Sequence, residues 1–323
     1  MVQIVNPKNG LLLARFNDYL SDSAGNRFAI HRGVPRIAEG SNYSENFGVQ
    51  WNKFGGTQLD RENEGLNLSC RRFFAETQWD CEELSGQDIL EVGSGAGRFS
   101  RVILERTKGR LYSIDYSDAV TANIKNNGHI APERFHLFQA SIYEMPFPDS
   151  SFDKVFCLGV LQHTPNFDAS IKALVGKAKP GGQIVVDFYP IKGWWTKISA
   201  KYILRPLTKR MPHARLLRII ERNIDWLLRA HFFLHGLGLG VLARFLPVCN
   251  AKESFPKLLS NAELRQWAIL DTFDQYSPQH DHPQRIRNVM KMFERHGARV
   301  TFAGFVPIGD GMSGAVVRAV KCA

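Results

Sequence analysis

Ile89-Leu90-Glu91-Val92-Gly93-Ser94-Gly95-Ala96-Gly97-Arg98 decides the fold of this chain. Its apolar start predicts a strand, and three alternating glycines then allow a sharp turn that brings bare backbone against a ligand. A helix beginning near Arg98 would point its free N-terminal amides at the same ligand. Glycine turns of this kind also serve nicotinamide-dependent enzymes and plain tight turns, so the turn needs a second feature. A second apolar run, Leu111-Tyr112-Ser113-Ile114, ends in Asp115. A doubly wound sheet places an acid there that can accept hydrogen bonds from ribose hydroxyls. A solvated strand-end aspartate is the plainer alternative.

These residues resemble the class I S-adenosylmethionine-dependent methyltransferases, in which an acidic residue opens the Gly-x-Gly-x-Gly turn, as Glu91 does here. A dinucleotide would more often call for Gly-x-Gly-x-x-Gly. The run Ser151-Phe152-Asp153-Lys154-Val155-Phe156-Cys157-Leu158-Gly159-Val160-Leu161-Gln162-His163 looks like the family's fourth strand and its active-site end, and Lys179-Pro180-Gly181-Gly182 resembles the turn before its fifth. The likeness covers roughly residues 85–190. It implies S-adenosylmethionine (SAM) as cofactor, held by Glu91, Gly93, Gly95, Gly97, Asp115, Tyr116, Ser141, Ile142 and Leu158. Ser141 stands where many relatives carry an aspartate for the adenine amino group; its hydroxyl can accept one hydrogen bond, and the Ile142 amide and side chain can bind and stack the ring.

The 323 residues are 44% hydrophobic and 22% charged, which suits a soluble enzyme with one main domain and additions. The five cysteines, Cys70, Cys81, Cys157, Cys249 and Cys322, are scattered and form no Cys-x-x-Cys pair. They predict free thiols in a reducing compartment and no cysteine zinc site. The first residues show neither a basic n-region nor an apolar h-region, so a cytoplasmic location is expected.

From residue 87 the pattern becomes β-α-β. It predicts strands near 89–92, 111–115, 135–139, 154–158 and 183–189, helices starting near Arg98, Ala119 and Asp168, a helix over 285–296, and two strands over 298–306 and 314–321 turning at Gly309-Asp310-Gly311. The expected fold is α/β: a doubly wound, mostly parallel seven-stranded sheet of the Rossmann-like methyltransferase type, with a small N-terminal β unit and a helical lid insertion. Residues 1–40 would form the β-rich module, 41–84 a helical cap, 85–189 and 263–323 the SAM-binding domain, and 190–262 the insertion. The module resembles the zinc-ribbon-like unit that precedes some methyltransferase domains. Asn6 and Asn9 fall near the first pair of metal cysteines, so no metal is expected.

Phe47, Trp51 and Phe54 are spaced as one helix face, which is ordinarily core. Their segment also looks like a cap that closes over the cofactor in a methyltransferase subset, implying Tyr43 and Trp51 as substrate or cofactor contacts. Methyl transfer from a sulfonium requires the acceptor to be held in line, and a hydroxyl or acidic carbon acceptor benefits from a base. His163 is the candidate base, because it follows the fourth strand at the carboxyl edge; a capping or core histidine is the competing role. Tyr189 could orient an acceptor or simply pack. The run Asp271-Thr272-Phe273-Asp274-Gln275-Tyr276-Ser277-Pro278-Gln279-His280-Asp281-His282-Pro283 reads as a loop with Tyr276 and His280 as substrate contacts and no metal.

Residues 190–250 hold eleven Lys and Arg against Glu221 and Asp225, nearly all of the formal +10 of the chain. Aromatic residues and leucines at helical spacing make this stretch basic and amphipathic. A lid clamping an anionic or glycosylated small substrate is the first expectation. Peripheral contact with anionic lipid is the second and nucleic acid the third; a basic face that packs or forms a homodimer is the plain alternative. The expected function is O- or C-methylation of a small-molecule or sugar-containing acceptor. The alternatives are a lipid-linked acceptor at a membrane surface, or a non-catalytic SAM-binding partner protein.

Overall fold

The computed structural model describes residues 1–38, 42–61, 66–254, 259–308 and 313–323. The expected turn at Gly309-Asp310-Gly311 lies outside the described residues. The chain begins with β1 (Ala14–Arg15), β2 (Tyr19–Ser21), β3 (Arg27–His31) and β4 (Val34–Pro35), an antiparallel sheet in sequence order. Helices α1 (Glu45–Phe54) and α2 (Leu68–Thr77) follow. The alternation is then β5 (Asp88–Val92), α3 (Arg98–Arg106), β6 (Arg110–Asp115), α4 (Val120–Asn127), β7 (Phe135–Gln139), β8 (Phe152–Cys157), α5 (Phe167–Lys177) and β9 (Ala178–Phe188). A helical stretch comes next: α6 (Ala200–Thr208), α7 (His213–Gly236), α8 (Gly240–Ala243), α9 (Ala251–Ser254) and α10 (Asn261–Tyr276). Helix α11 (Ile286–Arg295) and strands β10 (Ala298–Pro307) and β11 (Ser313–Lys321) close the fold.

The large sheet has seven strands in the order β10-β11-β9-β8-β5-β6-β7. Strands β9, β8, β5, β6 and β7 run parallel, and β11 pairs antiparallel with both β9 and β10. All five residues of β5 are buried, as a central strand covered on both faces requires. Alternation splits its side chains: Leu90 and Val92 join Tyr112, Val155 and Ile184 on one face, whereas Ile89 meets Leu111, Phe156 and Val185 on the other. The chain runs outward from β5 through β6 to β7, then returns to β8 on the other flank of β5. The carboxyl ends of β5 and β8 therefore flank the crevice where open α/β sheets bind ligands.

The N-terminal sheet covers the β7 edge. The amides of Ile37 and Ala38 donate to the Gln139 carbonyl at 2.8 and 3.0 Å, and the Arg36 guanidinium donates to Asp118 and to the Gln139 side chain. Asn6, Asn9 and Asn26 all donate side-chain N–H to one oxygen of Asp22, at 2.7, 2.9 and 2.8 Å. Asp22 thus sits in a closed hydrogen-bond knot, and no cluster of metal-binding side chains exists among the described residues. All five cysteines are free.

The expected loop over 271–283 is corrected in its first half, since 271–276 is the last part of α10. Two physical causes form the helix. Ser260 and Glu263 make a capping box at its start, and Trp267, Leu270, Phe273 and Tyr276 recur every three residues on a buried stripe. That stripe packs against Leu216, Ile220, Ile224 and Leu227 of α7, so the inserted helices have a hydrophobic core of their own.

Candidate active site

Strand β5 ends in three glycines with φ of +81°, +52° and +86° at Gly93, Gly95 and Gly97, a region that side chains disfavour. A Cβ on Gly93 would collide with Val160, and one on Gly95 would sit 3.1 Å from the Trp51 indole nitrogen. Gly97 is the residue immediately before α3 and is walled in by Asn123 and Asn127. The turn and the end of β6 hold each other: the Gly95 amide donates to Asp115 Oδ2 at 2.8 Å, and the Ser117 amide and hydroxyl donate to Oδ1 at 2.8 and 2.6 Å. Three of the roughly four acceptor positions of that carboxylate are filled. One remains for a ligand hydroxyl. Burial raises the Asp115 pKa above the ordinary carboxylate value.

Glu91 is placed otherwise than expected. Its side chain points beneath the turn, where Ser100 and Ser113 donate to Oε2, and burial raises its pKa to about 7. It supports the turn from inside the core and does not line the crevice. Ser141 and Ile142 are also away from the crevice lining. Ile142 belongs to the main apolar core because the chain after β7 turns inward, and the Ser141 hydroxyl accepts from the Tyr143 amide at 3.2 Å.

Above the carboxyl edge lies a cavity of about 890 Å³, lined by residues from the β5, β6, β8 and β9 ends, from α1, from the inserted helices and from α10. This is within the ~300–1,000 Å³ typical of small-molecule and cofactor sites. Of the residues singled out in the sequence, Tyr43, Trp51, Gly93, Gly95, Asp115, Tyr116, Leu158, His163, Tyr189 and Tyr276 line it. His280 does not. Its ring lies edge-on to Tyr43, with centroids 5.4 Å apart, and its carbonyl turns toward His163.

His163 follows β8 in a short 3-10 turn and is 5% exposed. Its Nδ1 lies 3.2 Å from the His280 carbonyl oxygen, which can only accept, so Nδ1 carries the proton and Nε2 keeps its lone pair. Nε2 has no hydrogen-bond partner and stands 3.9 Å from Asp274 Oδ2. Burial lowers the imidazole pKa, against the opposing pull of the Asp274 and Asp281 carboxylates. Phe47 and Tyr189 flank the ring at 5.2 and 5.6 Å. The Tyr189 hydroxyl donates to Asp274 Oδ2 at 3.2 Å, and the Gln50 amide donates to Oδ1 at 3.4 Å.

Asp271, one helical turn before Asp274, is also buried, and its pKa is raised to about 7 by burial and then by Asp274. Gln50, Gln162, Lys201, Asp271 and Asp274 also line the cavity, although the sequence alone gives them no role. The signal was the Asp-x-x-Asp spacing, which puts both acids on one side of a helix and carries nothing if the segment is read as a loop. Several cavity groups are buried without a partner: Ser94 Oγ, Gln50 Oε1, both polar atoms of the Gln162 side chain, and His163 Nε2. Buried polar atoms are otherwise nearly always satisfied, so this cavity is built for a polar ligand. With the bare glycine turn and Asp115, the lining fits a cofactor that carries ribose and charged ends.

Residues 90–186 match the family model described as methyltransferase domain. This part of the chain is a methyltransferase domain. The methyltransferase domain includes the glycine turn, Asp115 and His163, whereas α1 and the helices after β9 lie outside the matched residues. The chain is 25% identical over 150 residues to a tRNA U34 carboxymethyltransferase of Nautilia profundicola, covering 46% of this chain and 48% of that protein. It is 27% identical over 161 residues to a ubiquinone/menaquinone biosynthesis C-methyltransferase of Vibrio cholerae, covering 47% and 56%. It therefore spans about half the length of these relatives. Among solved structures, the magnesium protoporphyrin IX methyltransferase of Synechocystis PCC 6803 superposes with a TM-score of 0.48 at 14% identity, over 86% of this chain and 96% of that one.

Proposed function

We propose that the protein is a SAM-dependent methyltransferase that methylates a small-molecule or sugar-containing acceptor on oxygen or carbon, with the inserted helices over the acceptor. The observation that carries this proposal is that His163, whose neutral Nε2 has no hydrogen-bond partner, lines the cavity beside the glycine turn. SAM, when bound, supplies an electrophilic methyl group. Asp115 and the Gly93–Gly95 backbone would hold its ribose and amino-acid ends, and Tyr116 and Leu158 would flank it.

The remaining work falls to residues at the β8, β9 and α10 ends. Nε2 of His163 takes the acceptor proton, the geometry a general base needs. Asp274 lies near enough to favour the imidazolium that results, and it is itself held by Tyr189 and Gln50. Phe47, Trp51 and Trp267 keep water from the reacting groups. The test is incubation with methyl-labelled SAM and fractionated cell metabolites. Label in a small organic product, lost in His163→Ala, supports the proposal; label only in RNA or protein would overturn the acceptor class.

A further inference from the structure

Helix α7 has two faces. Leu216, Ile220, Ile224, Leu227 and His231 are buried against α10 and its surroundings. On the opposite side, Arg215, Arg222 and Arg229 form one row at seven-residue spacing, and Ile219, Trp226 and Phe233 form a second row beside it. Seven residues at ~100° each fall just short of two turns, so each row runs nearly straight along the helix. All six side chains are exposed, Trp226 by 53% and Phe233 by 66%. A helix packed on one side ordinarily shows polar residues on the other.

The exposed apolar surface continues past the end of α7. Fourteen of the twenty-one large apolar side chains exposed among the described residues lie between 194 and 245, Trp194 at 80% and Val241 at 74% being the most open of them. The two ends of this span are tied together: the Ala200 amide donates to the Arg244 carbonyl at 3.0 Å, and the Arg244 guanidinium to the Trp195 carbonyl at 2.6 Å. The two acids of the inserted stretch are engaged by bases from outside it, Glu221 by Lys53 and Asp225 by Arg265. The surface is therefore apolar, aromatic and net positive at once. No described helix is long and apolar enough to cross a membrane.

We propose that this surface docks on a lipid bilayer bearing acidic headgroups, with the α7 arginines at the phosphates and Trp226, Phe233 and the Trp194–Val241 edge in the interface. Aromatic and aliphatic side chains interleaved with arginines match the two components of such a surface. Trp195, Val241 and Arg244 also line the cavity, so the docking face and the cavity mouth share residues. An acceptor with a polar head and an apolar tail can then reach the cavity from the bilayer without leaving it. This substrate class rests on the methyl-transfer proposal; the docking itself does not.

Flotation of the full chain with vesicles tests the docking, using phosphatidylcholine alone and equal parts phosphatidylcholine and phosphatidylglycerol. Binding to the acidic vesicles, weakened by salt and absent from the neutral ones, is expected. Replacing Arg222 and Arg229 together by glutamine should lower partitioning about thirtyfold, roughly fivefold per arginine, while the Arg→Lys pair keeps it. Trp226→Ser with Phe233→Ser should also release the protein. Both pairs are on an exposed face, and an unchanged melting temperature shows that folding is kept. Failure of the wild type to bind acidic vesicles would overturn the proposal, as would partitioning unaltered in both variants. So would a patch covered by a second copy in sedimentation, or RNA binding with no lipid binding. SAM titration of the same samples separates this failure from failure of the methyltransferase proposal, because no residue changed here touches the cofactor turn.

Discussion

The His163 imidazole donates its Nδ1 proton to the backbone carbonyl of His280, 3.2 Å away and on a segment 117 residues distant in sequence. One hydrogen bond therefore fixes the tautomer and ring plane of the candidate base, whatever side chain position 280 carries. His163→Ala should lower kcat/KM by on the order of 10²–10⁴, whereas His280→Ala, which keeps the carbonyl, should change it far less. Equal losses in steady-state assays would show that position 280 acts through its side chain.

The same ring sets a pH prediction. Burial lowers the His163 pKa from the ordinary 6.5, so the base is neutral through physiological pH and is lost only when protonated at lower pH. The acid limb of the kcat/KM profile should fall below that ordinary value. Asp274 is a carboxylate that favours the protonated ring, so Asp274→Asn should shift the limb further down while lowering kcat. A limb that rises, or a profile the variant leaves in place, would remove Asp274 from this role.

Gly97 occupies a left-handed conformation at φ +86°, closed in by Asn123 and Asn127. Gly97→Ala should destabilise the domain by about 1–3 kcal/mol from backbone strain alone, with more from the collision. Thermal melting reads this directly, and a variant as stable as the wild type would contradict the geometry.

Asp22, accepting from three asparagine side chains and two backbone amides, has its pKa held well below the carboxylate range by those donors. A depressed folded pKa contributes stability above the unfolded value and loses it as pH falls through the folded one. Asp22→Asn should loosen residues 1–38 to limited proteolysis at neutral pH, and the difference from wild type should shrink in strong acid. Equal proteolysis at neutral pH would mean the knot contributes nothing.

The glycine turn, the succession of strands along the chain and the N-terminal sheet are legible because they are written locally, in φ-demanding glycines and in short apolar periods. The central strands appear where the sequence puts them. The site was less legible. The resemblance implies that Glu91 faces the cofactor, but its carboxylate is buried and taken up by the Ser100 and Ser113 hydroxyls. Asp271 and Asp274 look like loop residues in the sequence because the acids and aromatics hide an apolar stripe whose partner, α7, is supplied by tertiary packing. Which end of His280 matters, ring or carbonyl, depends on a contact across more than a hundred residues and has no local signal.

Calorimetric titration of SAM and of its demethylated product into wild type, Asp115→Ala and Asp115→Asn tests the cofactor site most directly. Binding by the wild type, weakened about 10–100-fold in Asp115→Ala as expected for losing hydrogen bonds to a charged group, is the predicted result. Absence of binding by the wild type, or equal affinity in all three proteins, would contradict it.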